Sequence, residues 1–217
     1  GLDTIINRCK EKGLRFGLWF EPEMVNENSD LFRAHPEYAA IKPGEIPSRS
    51  RNQLILDFSK KEVVDYVYSL MSAILKKHEI SYIKWDMNRQ LTEVGSNALA
   101  SDRQRELWHR YVLGVYDVME RLITDYPHLL LENCSGGGAR FDAGMLFYSP
   151  QIWTSDDTDA IERLKIQHGT SICYPASAMG AHVSDCPNHT VGRTTPFSTR
   201  GNVAMVGTFG YELDVTR

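Results

Sequence analysis

Two short runs concentrate the side chains able to do chemistry in this sequence, Tyr82-Ile83-Lys84-Trp85-Asp86-Met87-Asn88 and Trp153-Thr154-Ser155-Asp156-Asp157-Thr158-Asp159. In the first, strand alternation sends Lys84 and Asp86 to one face and Ile83, Trp85 and Met87 to the other. The apolar set belongs against helices, which leaves a lysine and an aspartate facing an interior. A lone charge there is costly, so the two either pair with each other or bind a ligand. A structural ion pair is the alternative; the position at the strand's C-terminal end favours a ligand. In the second run, three acids within four positions repel one another, which favours one of them keeping its proton. Asp157 and Asp159 read as helix N-terminal complements, leaving Asp156, nearest the strand end, for catalysis. An ionised carboxylate beside a lysine and a protonated one among acids divide into nucleophile and proton donor, the pair that retaining glycoside hydrolysis requires. Two aspartates on such a scaffold also suit other reactions.

Three further features lean toward a sugar ligand. Trp19 shares a face with Gly17 and Glu21, and an indole plane near carboxylates can serve as a platform for a sugar ring; a core tryptophan is the alternative. The run Glu132–Arg140 (ENCSGGGAR) offers backbone N–H groups that a ligand can approach closely, without the lysine or spacing of a phosphate loop. Arg51, ahead of an apolar run, can donate to hydroxyls or be simply solvated. His182, Asp185, Cys186 and His189 have the ligand types of a zinc site, but their spacing fits no zinc motif, and Pro187-Asn188 reads as a turn in a loop over the site.

These residues need elements to position them. Arg15–Phe20, Tyr82–Asp86, Leu129–Cys134, Ile152–Ser155, Ser171–Tyr174 and Asn202–Val206 read as strands. Lys60–His78 carries a helical stripe of Val63, Val64, Val67, Leu70, Met71, Ile74 and Leu75, and Ser101–Tyr126 another through Leu107, Tyr111, Leu113, Val115, Val118 and Leu122. Ser59 and Ser101 are the expected N-caps. Asp157–His168 reads as a shorter helix ended by Gly169. Strand and helix in alternation imply a parallel sheet with right-handed crossovers, whose strand C-termini gather the chemistry.

The 217 residues fall just short of the roughly 250 typical of a closed α/β barrel. They carry 24 Lys+Arg against 28 Asp+Glu, a net charge of −4, with 42% hydrophobic residues. That balance excludes disorder and gives no basic footprint for nucleic acid or an anionic membrane. No run approaches the roughly 20 apolar residues of a spanning helix. Cys9, Cys134, Cys173 and Cys186 form no CxxC pair, which points to a reduced, cytoplasmic setting. The start at Gly1 in a helical pattern and the end just after a strand-like run read as cuts in a longer protein.

Taken together, KWDMNR (Lys84–Arg89), ENCSGGGARFDAGML (Glu132–Leu146), WTSDDTDAIERLKIQHGTS (Trp153–Ser171), GLWFEPEMVNENSDLFRAHPEY (Gly17–Tyr38) and HVSDCPNH (His182–His189) resemble the bacterial α-galactosidases of glycoside hydrolase family 36. The resemblance runs along the whole chain. It implies a (β/α)8 TIM barrel and a retaining double displacement on terminal α-linked galactose of the melibiose and raffinose type. It further implies Asp86 as nucleophile and Asp156 as acid/base, with Trp19, Arg51, Lys84, Asn88, Cys134 and Gly137 around the galactose, and neither metal nor cofactor. Asp157 stands where the family often has asparagine. On this reading residues 1–217 are one catalytic barrel domain, incomplete, with about six of eight β/α units. The two carboxyl groups are then expected on the order of 5–6 Å apart. The partner is an α-galactoside oligosaccharide, and the full-length protein is expected to be a homo-oligomer. A transglycosylating relative of the raffinose or stachyose synthase kind, and a non-catalytic sugar-binding fragment, are the competing readings.

Overall fold

A computed structural model describes residues 1–92, 95–214 and 216, which divide into two compact units, Gly1–Leu130 and Leu131–Arg217. The first opens with helix α1 (Leu2–Glu11) and strand β1 (Gly17–Phe20). A two-residue strand β2 (Met24–Val25) follows, then helix α2 (Asp30–Ala34), with Ser29 Oγ accepting from the Phe32 amide at 3.1 Å. Strand β3 (Leu54–Ile55) returns antiparallel to β2. Helix α3 (Lys61–Lys77), strand β4 (Tyr82–Asp86) and helix α4 (Leu107–Asp125) complete the unit. Strand β4 runs parallel to β1 with Trp19 opposite Lys84.

The helical stripes bury as their spacing requires. Val63, Val64, Val67, Met71 and Leu75 of α3 and Leu107, Tyr111, Val115, Val118 and Leu122 of α4 are core residues, as are Ile83 and Trp85 of β4. Each fully buried aliphatic side chain contributes roughly 1.5–3 kcal/mol. Leu70 and Leu113, at the margins of the stripes, are instead exposed. Neither expected N-cap serves as one. Lys60 precedes α3, while Ser59 Oγ donates to Asp57 Oδ1 at 2.5 Å, and Ser101 begins a 3-10 turn that runs to Glu106.

The second unit alternates more regularly: β5 (Leu130–Cys134), α5 (Ala143–Tyr148), β6 (Gln151–Trp153), α6 (Ala160–Ser171), β7 (Met179–Ser184), α7 (Phe197–Ala204) and β8 (Thr208–Glu212). Strands β5 to β8 pair in order, all parallel, with Glu132 opposite Gln151, Trp153 opposite Gly180 and Ser184 opposite Glu212. Parallel strands alternating with helices make this an α/β fold, the element order of a partial (β/α)8 barrel.

Two strands fall elsewhere than the composition suggests. Ser171 is the last residue of α6 and 172–174 form the turn after it, where the Cys173 and Tyr174 amides donate to the Thr170 carbonyl at 3.1 and 3.0 Å, so Gly169 does not end that helix. Asn202–Val206 overlaps α7 and the turn after it. The strands are Met179–Ser184 and Thr208–Glu212. The first escapes a β-propensity reading because it carries Gly180 and Ala181. Its small residues have a packing reason: a Cβ on Gly180 would stand 3.0 Å from Cε3 of Trp153.

Candidate active site

Strand β4 ends on Asp86, which the first unit holds from three sides. Its Oδ2 accepts from Trp19 Nε1 at 3.1 Å and from Asn88 Nδ2 at 2.7 Å, and its Oδ1 accepts from the Met87 amide at 2.8 Å. Asp86 is buried, yet Trp19 is 51% exposed. The indole therefore offers an open face beside a carboxylate, and the core reading of Trp19 does not hold. Lys84 lies half-buried on the same face as Asp86, one strand residue pair back.

A second carboxylate backs this arrangement. Glu21 Oε1 accepts from the Asn88 amide at 3.2 Å and from Asn88 Nδ2 at 2.9 Å, while its Oε2 accepts from Gln53 Nε2 at 2.7 Å. The Asn88 amide group thus bridges two carboxylates. Arg51 is exposed, at the tip of a tight turn closed by the Gln53 amide on the Ser50 carbonyl at 2.9 Å. Arg51 and Asn52 both take positive φ, 53° and 58°, as a type I′ turn demands of its central residues. Asn26 Nδ2 donates to the Asn52 carbonyl at 2.8 Å and so braces a conformation that is unfavourable for an arginine.

In the second unit Asp156 follows β6. Its Oδ1 accepts from Trp153 Nε1 at 2.9 Å, and the Cys134 thiol lies 4.0 Å from the same oxygen. Asp156 is exposed and Cys134 buried. Gly137, with φ of 87°, passes so close that a Cβ would stand 3.0 Å from both the Asp156 nitrogen and Ser155 Cα. The glycine run therefore lets one backbone segment press against the segment that carries Asp156.

The other acids of that run are structural. Asp159 is the N-cap of α6, accepting from the Ile161 and Glu162 amides at 3.1 Å each, and it pairs with Arg193. Asp157 Oδ1 accepts from the Asp159 amide at 3.1 Å. The His182–His189 segment is only partly a loop. His182 lies on β7, its ring 4.6 Å from that of Trp153 and its Nδ1 3.3 Å from Glu212 Oε2. Asn188 is buried, donating to Thr158 Oγ1 at 3.0 Å. Among the described residues no three His, Cys, Asp or Glu side chains converge as metal ligands, and no helix is long and apolar enough to cross a membrane.

Burial perturbs two groups in this unit. Glu132 on β5 is pushed up to about 7, first by burial and then by the Glu212 carboxylate, against the hydrogen bond from Gln151 Nε2 at 2.9 Å. Arg163 of α6 is lowered to about 10 by burial, opposed by the charges of Glu212, Asp157 and Asp156.

The melibiase family model matches residues 1–217, the whole chain. The chain belongs to the melibiase family. It is 57% identical over its full length to the α-galactosidase AgaA of Geobacillus stearothermophilus, of which it spans 30%. Over 98% of its length it is 60% identical to the bifunctional α-galactosidase/sucrose kinase AgaSK of Mediterraneibacter gnavus, of which it spans 22%. The crystal structure of AgaA, described as a GH36 α-galactosidase, superposes on all of this chain with a TM-score of 0.97. A variant of that protein has been solved with raffinose. The resemblance to family 36 drawn from the motifs therefore stands, and the chain spans about a third or less of these relatives.

Residue type and strand-end position single out Asp86 and Asp156, whereas nothing in the sequence marks the supporting side chains Glu21, Gln53, Trp153 and Arg163. Glu21, Trp153 and Arg163 stand inside the family-like motifs, and Gln53 does not. No spacing rule links Trp19 to Asp86 across 67 positions.

Proposed function

We propose that the protein containing this chain is a retaining α-galactosidase acting on terminal α-linked galactose of melibiose- and raffinose-type oligosaccharides. Asp86 is the nucleophile on this reading. The observation that carries it is the buried Asp86 carboxylate at the C-terminal end of β4, fixed by Trp19 and Asn88 beside an exposed indole face. Hydrogen bonds to both oxygens hold the carboxylate in one orientation, which is what in-line attack on an anomeric carbon requires. Asp156, exposed and with one oxygen engaged by Trp153, is the acid/base that protonates the departing oxygen and then deprotonates the attacking water. Lys84 and Arg51 supply cationic donors to the sugar hydroxyls. Cys134 and Gly137 shape the wall beside Asp156. The raffinose complex of the Geobacillus relative supports the substrate class. Four free thiols support a cytoplasmic setting.

The test is the stereochemical course of hydrolysis of an aryl α-galactoside by the full-length protein, followed by proton NMR. α-Galactose is expected as the first product, before mutarotation. β-Galactose first means inversion and removes the nucleophile role from Asp86.

A further inference from the structure

The segment that carries Asp156 is wrapped around a buried guanidinium. Arg163, 3% exposed, donates through Nε to the Asp157 carbonyl at 3.0 Å, through Nη2 to the Ser155 carbonyl at 2.8 Å and through Nη1 to the Gly180 carbonyl at 3.1 Å. The carbonyls on either side of Asp156 thus converge on one planar fork, with the edge of β7 supplying the third. The guanidinium carbon also lies 4.3 Å from the Trp153 ring centroid, within cation–π range. His182 packs against the same indole at 4.6 Å, and the indole N–H reaches Asp156 Oδ1.

We infer that Arg163 and Trp153 act together as positioning residues for the Asp156 carboxyl, Arg163 fixing its backbone and Trp153 its side chain. Arg163 acts on the backbone and Trp153 on Oδ1, the oxygen that does not carry the proton. The chemistry assigns them different parts. A lysine at 163 keeps the charge but has no planar fork, so it cannot hold three carbonyls in fixed directions. A phenylalanine at 153 keeps an aromatic ring beside Arg163 and His182 but removes the N–H. With one oxygen held by the indole, the other is left to carry the proton toward a leaving group. A carboxyl that turns freely meets the glycosidic oxygen in fewer of its orientations, and proton donation suffers first where the leaving group most needs it.

This inference rests on the acid/base role proposed for Asp156, and the experiment separates the two. In the full-length protein, kcat and KM are measured for Asp156→Asn, Trp153→Phe and Arg163→Lys on a natural α-galactoside and on aryl α-galactosides of graded leaving-group pKa. Thermal midpoints are recorded alongside. For Trp153→Phe, kcat on the natural substrate is expected to fall on the order of 10-fold or more with KM little changed, and on a dinitrophenyl galactoside less than about 3-fold. Arg163→Lys should steepen the same leaving-group dependence further. Uniform loss across leaving groups, or no loss, in a Trp153→Phe protein of unchanged thermal midpoint overturns the positioning role. If Arg163→Lys does not fold, Trp153→Phe decides alone. If Asp156→Asn itself shows no leaving-group dependence, the acid/base role fails first.

Discussion

Asp86 and Asp156 stand at the ends of parallel strands in different units, and they are held by different means. Asp86 is buried, and three donors occupy both of its oxygens; Asn88 in turn ties it to Glu21 and Gln53. Asp156 is exposed and takes the Trp153 N–H on one oxygen, while its rigidity comes from the backbone, through Arg163 and the close pass of Gly137. Donors directed at both oxygens hold a carboxylate still, as a nucleophile must be. A carboxyl held mainly through its backbone keeps an oxygen open for a proton that has to come and go. One local architecture suits attack and the other suits transfer.

The sharpest way to break that contrast is to remove each carboxylate in the full-length protein. Asp86→Ala is expected to cost on the order of 10⁴-fold or more in kcat on every α-galactoside, whatever the leaving group, because no covalent intermediate can form. Asp156→Asn should cost on the order of 10²–10⁴-fold on natural oligosaccharides and far less on activated aryl galactosides. Parallel losses for the two variants would dissolve the distinction between them.

What could be read from the sequence follows the same division. Tyr82–Asp86 matched its expected bounds because Ile83 and Trp85 alternate cleanly with Lys84 and Asp86. The stripes of α3 and α4 were legible for a similar reason, since period alone decides which positions meet the core. Met179–Ser184 was not, because its small residues answer to Trp153, a neighbour 27 positions from Gly180 that propensity cannot see. The candidate carboxylates were visible from residue type and strand-end position. Their supports were not, as Trp19, Glu21 and Gln53 reach Asp86 and Asn88 only through the fold.

Gly137 offers a finer test, aimed at the backbone support alone. An alanine there meets two backbone atoms at 3.0 Å, and a positive φ of 87° adds strain that no side-chain rotation relieves. Gly137→Ala is expected to displace the Asp156 segment and lower kcat on the natural substrate by roughly 10- to 100-fold, in line with the sensitivity of catalysis to small misplacements. The loss should shrink on activated substrates, as for Asp156→Asn. A loss that is uniform across leaving groups would assign Gly137 to the sugar wall and not to the acid.

The smallest expected effect concerns two buried carboxyl groups away from the chemistry, one in each unit. Glu23 accepts from Trp85 Nε1 at 2.6 Å and from Tyr111 Oη at 2.5 Å, a donor on each oxygen. Glu132 accepts from Gln151 and lies in the field of Glu212, and burial raises it to about 7. The folded chain therefore holds the Glu132 proton well above the pH near 4.5 at which the unfolded chain releases it. The stability this confers is full below about pH 4.5, declines as pH rises, and is gone above about pH 7. Its full size is roughly 3 kcal/mol. Glu132→Gln supplies a neutral isostere that can still accept from Gln151. The variant should match the parent at pH 4 and gain thermal stability over it at pH 8. Glu23→Gln sets an amide N–H₂ against one of two donors and should lose on the order of 1–3 kcal/mol at pH 8. Unfolding midpoints of the two variants at both pH values test the opposition in sign. If Glu132→Gln is destabilised equally at pH 4 and pH 8, burial does not hold a proton on Glu132, and the two regions differ only around their strand ends.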